Sequence, residues 1–220
     1  QQWGYDEIDL NCGCPSERVQ RGAFGACLMA EPKLVADCVK AMKGAVDIPI
    51  SVKHRLGLDS MDASTSKADY QFALDFILSV ADAGASQVTI HARNAVLKGL
   101  SPKENRSKPP LRYEVATQLR LDAQKQFPDL KVLLNGGLES NEQIAGLWND
   151  FDGFMVGRAA YHFPAMILGW DDLISTDGDA AGYLFSETEW HRIQIALVKQ
   201  VQAWFEECKE KGKPFYIGAF

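Results

Sequence analysis

Residues 131–158 read KVLLNGGLESNEQIAGLWNDFDGFMVGR. Lys131-Val132-Leu133-Leu134-Asn135 is a short apolar run with a polar tip, and Gly136-Gly137 turns the chain after it. Asn141 to Trp148 has helical character. Gly153-Phe154-Met155-Val156-Gly157 is a second apolar run, ending in Gly157-Arg158-Ala159. Short runs of Val, Leu and Ile without polar alternation mark strands buried on both faces. A helix between two such strands implies a parallel pair with a right-handed crossover.

The same unit repeats toward the start of the sequence. Further strands are expected at Glu7-Ile8-Asp9-Leu10-Asn11-Cys12, Pro49-Ile50-Ser51-Val52-Lys53 and Gln87-Val88-Thr89-Ile90-His91. Helices are expected over 32–43, where Leu34, Val35, Cys38, Val39 and Met42 share a helical period, and over 68–83 and 113–126. The class is α/β. Five strands that each end in a polar or glycine-bearing tip point to a (β/α)8 TIM barrel, whose active-site groups gather at the C-terminal strand ends. If the last tip belongs to strand eight, these are strands four to eight, and the chain is an internal piece lacking the first strands. An open doubly wound sheet is the alternative, although no strand is followed by the G-x-G-x-x-G dinucleotide fingerprint.

After Pro164 the pattern changes. Residues 169–186 are loop-like, and Ser186-Glu187-Thr188-Glu189 is a capping box. It opens a helix to about Lys209 with Ile193, Ile195, Ala196, Val198, Val201, Trp204 and Phe205 on a broad apolar side. The expected organisation is a catalytic barrel over 1–168, then a linker and the start of a helical domain over 169–220, truncated at Phe220.

The composition is that of a globular chain, 46% hydrophobic and 24% charged over 220 residues. That length buries a core without staples. No run of about twenty apolar residues offers a membrane span, and the start lacks a signal peptide's basic and apolar stretches. The net charge of −6 does not advertise nucleic-acid binding. The distribution says more. Between His91 and Arg112 stand Arg93, Lys98, Lys103, Arg106, Lys108 and Arg112 against Glu104 alone, while 171–189 is acidic. A basic loop on an acidic body suits an anionic ligand, or is simply a solvated loop. Five cysteines without disulfide spacing fit a reducing, cytoplasmic setting. Cys12 and Cys14 are too close together for a zinc knuckle, and no metal is expected.

The strand tips carry the chemistry. Asn135-Gly136-Gly137 and Gly157-Arg158-Ala159 sit where this barrel type cradles phosphate on backbone N–H groups; the same glycines could merely close tight turns. Lys53 should point into the barrel mouth to hold an anionic or electron-rich ring, unless it snorkels. His91 can donate to a carbonyl or phosphate, or be a satisfied structural histidine. His54, His162 and His191 are read as structural. In Asn11-Cys12-Gly13-Cys14-Pro15-Ser16, Gly13 and Pro15 force a turn that exposes Cys14 as a nucleophile, a general acid or an inert thiol.

Five motifs in order resemble the tRNA-dihydrouridine synthases, flavin enzymes on a (β/α)8 barrel with a C-terminal helical domain. They are Asp9 to Ser16, Val52-Lys53-His54-Arg55-Leu56-Gly57, Ile90-His91-Ala92-Arg93, Leu134-Asn135-Gly136-Gly137 and Val156-Gly157-Arg158. The stretch Leu97 to Arg106, with Pro109-Pro110-Leu111, is similar to the A subfamily, which acts on D-loop positions 20 and 20a. The resemblance implies reduction of the C5–C6 double bond of a tRNA uridine, with hydride from reduced FMN to C6, a cysteine proton to C5, and NADPH as reductant. Cys14 matches that cysteine. Asn11 would bind the uracil edge, Lys53 would sit by the flavin N1–O2 side, and His91 would contact the cofactor. Asn135, Gly136, Gly137, Gly157 and Arg158 would hold the FMN phosphate region. Arg93, Lys98, Lys103 and Arg106 would meet tRNA. A monomer suffices, and no membrane is involved. Three other readings stay open: an FMN barrel acting on a free pyrimidine, a tRNA-binding module, and a flavin-free phosphate-sugar barrel.

Overall fold

Five strands form where the apolar runs place them: β1 (Ile8–Cys12), β2 (Ile50–Arg55), β3 (Gln87–His91), β4 (Lys131–Asn135) and β5 (Gly153–Met155). All pair in parallel, in the order β1-β2-β3-β4-β5. A doubly wound sheet reverses its strand order at a switch point, whereas a barrel wall runs round in sequence order. No reversal occurs among the described residues, so the open-sheet alternative loses its defining feature and the α/β barrel wall stands. The computed structural model describes residues 4–58, 66–170, 174, 199 and 210. The chain divides into two compact units, Gln1–Met166 and Ile167–Phe220. Every strand and the cavity described below belong to the first. The expected capping box at Ser186 and the helix it opens lie outside the described residues.

The helices are α1 (Glu17–Arg21), α2 (Pro32–Ala45), α3 (Ser66–Asp82), α4 (Tyr113–Gln126), α5 (Asn141–Gly146) and α6 (Arg158–His162). Pro32 opens α2, where its missing N–H costs nothing. Ser140 caps α5 by accepting from the Gln143 N–H at 3.2 Å. That helix ends before the expected Trp148 because Trp148–Asp150 tightens into a 3-10 turn. Helix α1 has no counterpart in the sequence reading. It is one short turn, capped by the Ser16 side chain accepting from Val19 N–H. No helix among the described residues is long and apolar enough to cross a membrane.

Strand parity sorts the side chains. Val52, Ile90 and Leu134 are fully buried, as are Phe76 and Ile77 of α3 and Leu119 of α4. Burying each such side chain contributes about 1.5–3 kcal/mol. His54 shares the parity of Val52, with its ring centroid 5.2 Å from that of Phe76. The alternate positions turn the other way. Asn11 pairs with Lys53, and Arg55, His91, Asn135 and Met155 stand side by side across four strands. In a parallel sheet, register partners share a face, so this second set forms one continuous surface.

Candidate active site

That surface is the floor of a cavity of about 490 Å3, within the size range of small-molecule and cofactor sites. Lys53, Arg55, His91 and Asn135 line it from the strands, and Cys14 and Arg106 line it from loops. Asn11, Gly136, Gly137, Gly157 and Arg158 line it too. The structure therefore brings ten of the residues singled out in the sequence to one place: Asn11, Cys14, Lys53, His91, Asn135, Gly136, Gly137, Gly157, Arg158 and Arg106.

Two neighbours tighten the floor. Asn135 Nδ2 donates to the Met155 carbonyl at 2.6 Å, fixing β4 to β5 at its tip. Gly136 has a φ of +104°, in the left-handed region. A Cβ there would come within 2.6 Å of His91 Cδ2 and 2.8 Å of its Nε2. Only glycine lets the turn pass this close to the imidazole.

Burial sets the charges. Lys53 is pushed down to about 8, chiefly by desolvation and then by the Arg55 guanidinium, with Asp9 opposing. His91 is pushed down to about 2, first by burial and then by the cations Arg55, Lys53, Arg93 and Arg158. Its imidazole is therefore neutral at ordinary pH and is no general acid. His91 Nε2 is buried and has no hydrogen-bond partner among the described residues. A buried polar atom without a partner costs energy; His54 Nε2 is in the same state, and His91 differs in that its residue lines the cavity. His54 behaves as the structural residue expected of it. Its Nδ1 lies 2.8 Å from the Arg55 carbonyl, and burial pushes it down to about 4.

Cys14 sits on a wound turn. Asn11 Oδ1 accepts from the Gly13 N–H at 3.0 Å and from the Cys14 N–H at 3.1 Å. Ala26 N–H donates back to the Cys14 carbonyl at 2.9 Å. That return is possible because Gly25 has a φ of +77° and no side chain, since a Cβ there would lie 2.6 Å from the Cys14 carbonyl oxygen. Cys14 is half-buried and lines the cavity. The nearby Cys12 is fully buried, and burial followed by Asp9 pushes its thiol up to about 12. Of the two, only Cys14 faces the cavity.

The structure narrows one assignment and corrects another. Asn11 was expected to bind the uracil edge; its oxygen is committed to the Cys14 turn, leaving Nδ2 as the group that can face a ligand. Arg93 was expected to touch substrate. It is buried at 8% exposure and absent from the cavity wall. Its guanidinium donates to the Ser107 carbonyl at 3.3 Å and to the Pro109 carbonyl. Arg93 thus braces the basic loop from within.

Other cations of that loop are also engaged internally. Lys108 pairs with Glu104 at 2.6 Å, and Arg112 donates to the Asn94 side chain. By exposure, Lys98, Lys103 and Arg106 are the loop's cations at the surface together with Lys108. Arg106 borders the cavity, and its carbonyl accepts from Arg158 Nη2 at 3.1 Å.

Three residues that hold this arrangement were not singled out from the sequence. Arg55, 3% exposed, donates from Nε to the Gly13 carbonyl at 2.9 Å and from Nη1 to the carbonyls of Asn94 and Asn105 at 3.1 and 2.9 Å. It ties the Cys14 turn to the basic loop. Asn105, fully buried, closes that loop. Its side chain accepts from Val96 N–H and donates to the Val96 carbonyl, both at 2.8 Å. Gly25 is the third. Parity with Lys53 was the available signal for Arg55. An Asn inside a loop of Lys and Glu carries no comparable mark.

The dihydrouridine synthase family model matches residues 1–210. Curated relatives named tRNA-dihydrouridine(20/20a) synthase include that of Pseudomonas syringae pv. tomato, 54% identical over 164 residues, covering 74% of this chain and 46% of the relative. That of Synechocystis is 55% identical over the same shares. That of Xanthomonas campestris pv. campestris is 56% identical over 167 residues, 76% of this chain and 47% of the relative. The chain spans about half the length of the curated relatives it matches. With parallel strands in sequence order and a match over nearly its whole length, the chain belongs to the dihydrouridine synthase family.

Proposed function

We propose that the protein reduces the C5–C6 double bond of a uridine in the tRNA D-loop, at positions 20 and 20a, giving 5,6-dihydrouridine. The observation that carries this reading is the meeting of Cys14, Lys53, His91 and the Gly136-Gly137 turn on one cavity. The relatives' names supply the substrate.

The residues present fit a flavin. His91 lines the cavity as a neutral imidazole, and Lys53 offers a desolvated cation. A cation in low dielectric stabilises negative charge on an electron-rich ring more strongly than it would in water. A Cβ at Gly157 would meet nothing within 4 Å, so there is open room beside Arg158 for a phosphate. The cofactor is FMN, with NADPH as its reductant. When bound, the flavin supplies the hydride equivalent that C6 receives.

The chain's own residues do the rest. Cys14 Sγ gives its proton to C5. Arg55 holds the turn that presents Cys14 through its bond to the Gly13 carbonyl at 2.9 Å. Asn11 Nδ2 donates to the uracil edge while its oxygen holds the turn. Asn135, Gly136, Gly137, Gly157 and Arg158 hold the phosphate end. Lys98, Lys103 and Arg106 take tRNA phosphates, whose binding is independent of sequence. The target base leaves its stack to enter the cavity, at small cost in a single-stranded loop. Residues 1–168 are the catalytic barrel, and 169–220 begin a helical domain that grips the remaining tRNA. Cysteines scattered without disulfide spacing support a cytoplasmic setting.

The test is an absorption spectrum of the purified full-length protein, with the released cofactor identified by chromatography, followed by NADPH-driven reduction of unmodified tRNA. FMN together with dihydrouridine at positions 20 and 20a is the expected result. A protein that takes up no flavin, or that reduces free uridine and not tRNA, overturns the reading.

A further inference from the structure

Beside Cys14 the chain makes an outward excursion that the proposed mechanism does not use. Arg18, Arg21, Gly22, Ala23 and Phe24 are all exposed. Phe24 is 50% exposed, although it immediately precedes Gly25, which packs against the Cys14 carbonyl. A phenyl ring this open loses the burial free energy it could have had, so what holds it there is informative.

Two features hold it. Ala23 has a φ of +55°, the sole left-handed non-glycine among the described residues. This conformation costs an L-residue about 1–2 kcal/mol. Such strain persists only where surrounding contacts impose it, and it concentrates at binding sites. Here Phe24 N–H donates to the Val19 carbonyl at 3.3 Å, and the Phe24 carbonyl accepts from Cys27 Sγ at 3.1 Å. The second feature is Gly22, whose missing side chain is where the Phe24 ring sits. A Cβ on Gly22 would lie 1.9 Å from Phe24 Cε1 and 2.6 Å from Cδ1. The ring is thus seated on backbone and stands partly open to solvent.

Helix α1 carries two cations, Arg18 and Arg21, against Glu17. Arg21 reaches Glu17 only at 3.8 Å, with both side chains more than 80% exposed, a pairing that competes weakly with an incoming anion. Gln20 Nε2 donates to the Pro15 carbonyl at 2.8 Å and to the Leu97 carbonyl at 2.9 Å. It fastens α1 to the start of the loop that carries Lys98, Lys103 and Arg106. Cations on α1 and on the basic loop, with an open aromatic ring on the turn that leads from α1 to the Gly25 contact with Cys14, match what single-stranded RNA binds: phosphate contacts plus a stacking face.

We propose that α1 and the Gly22–Gly25 turn form a second RNA-contacting wall, where Phe24 stacks on an unpaired base next to the target and Arg18 and Arg21 take its flanking phosphates. This rests on the tRNA reading above and extends it. Stacking beside the cavity would hold the strand open while the target base is out of its stack.

The experiment uses the flavin-loaded full-length protein and titrates its affinity for unmodified tRNA separately from its reduction rate. The variants are Phe24→Ala, Gly22→Ala and the pair Arg18→Ala/Arg21→Ala. Phe24→Ala weakens tRNA binding by about tenfold at unchanged flavin content, and Phe24→Tyr restores it. Gly22→Ala, whose backbone φ of −84° suits alanine, displaces the ring and weakens binding in the same direction. The arginine pair flattens the slope of log affinity against log salt by about 1.4, roughly 0.7 for each phosphate released from a single strand. Affinities for Phe24→Ala and the arginine pair within twofold of the parent, in a protein that reduces tRNA, overturn this inference and leave the proposed function standing. Phe24-dependent binding without any uridine reduction supports this wall and overturns the proposed function instead.

Discussion

At the floor of the cavity, Lys53, His91 and Asn135 take their places from strand register, whereas at the rim the Cys14 turn and the basic loop are fastened by polar side chains buried beneath them. The floor needs only that four parallel strands keep step, and the apolar residues of opposite parity enforce that. The rim depends on Arg55, Asn105 and Arg93, which look like surface residues by type and are almost wholly inside. The floor is therefore sensitive to shape. The rim is sensitive to the loss of single hydrogen bonds.

The largest effect should come from the floor. Gly136→Ala drives a methyl into His91 and forces alanine to a φ of +104°. It should lower stability by about 1–3 kcal/mol, seen as a fall of several degrees in Tm, and should abolish flavin retention. An alanine variant that binds flavin like the parent breaks the claim that the imidazole and this turn share one space.

The next effect is pH dependence. In the flavin-free protein Lys53 loses its proton as pH rises through about 8. If its positive charge supports reduction, the rate should fall roughly tenfold per pH unit above the value Lys53 takes beside the bound ring, which negative charge on that ring raises above the flavin-free one, and Lys53→Met should remove the titration. Stability moves oppositely. The unfolded chain holds this proton up to the ordinary value of 10.5, so it binds more protons between about pH 8 and 10.5. This group's contribution therefore rises with pH across that window. Thermal melts of the parent and Lys53→Met over this range check the sign.

At the rim, Asn105→Ala removes the clasp of the basic loop and leaves the Val96 N–H and carbonyl unpaired. Val96 is only half-buried, so water takes up part of the loss and each bond costs about 0.5–1.5 kcal/mol. Weaker tRNA binding, on the order of tenfold, with unchanged flavin affinity would sharpen the division between floor and rim. Loss of flavin as well would blur it.

The smallest effect separates Lys103 from Arg93. Lys103→Ala should weaken tRNA binding a few-fold and reduce the salt slope by about 0.7. Arg93→Ala should lower the melting temperature while leaving that slope unchanged, because its guanidinium already serves Ser107 and Pro109.

The same contrast explains what the sequence disclosed. The strands, their tips and the long helices follow from local periodicity, and with them Lys53, His91, Asn135 and the glycine turns. Arg55 was within reach, two residues beyond Lys53 on the same face, but β2 was expected to end at Lys53. Arg93 was misread because an arginine in a basic loop has no local mark of burial; only the return of Ser107 and Pro109 over it makes it internal. Gly25 was illegible for the same reason, since its partner is a carbonyl eleven residues earlier in the chain. The role of Asn11 followed from the family resemblance alone, and the winding of the Cys14 turn decided which end of its amide is available.

The central claim is that the Cys14 thiol delivers the proton to C5. The most direct measurement compares the parent with Cys14→Ala, both flavin-loaded and full length, for single-turnover formation of dihydrouridine in unmodified tRNA, with tRNA affinity measured alongside. Loss of a positioned general acid costs about 10²–10⁴-fold in rate, so the account predicts a fall of that size with affinity within about twofold of the parent. A Cys14→Ala protein that reduces uridine at the parental rate would contradict it.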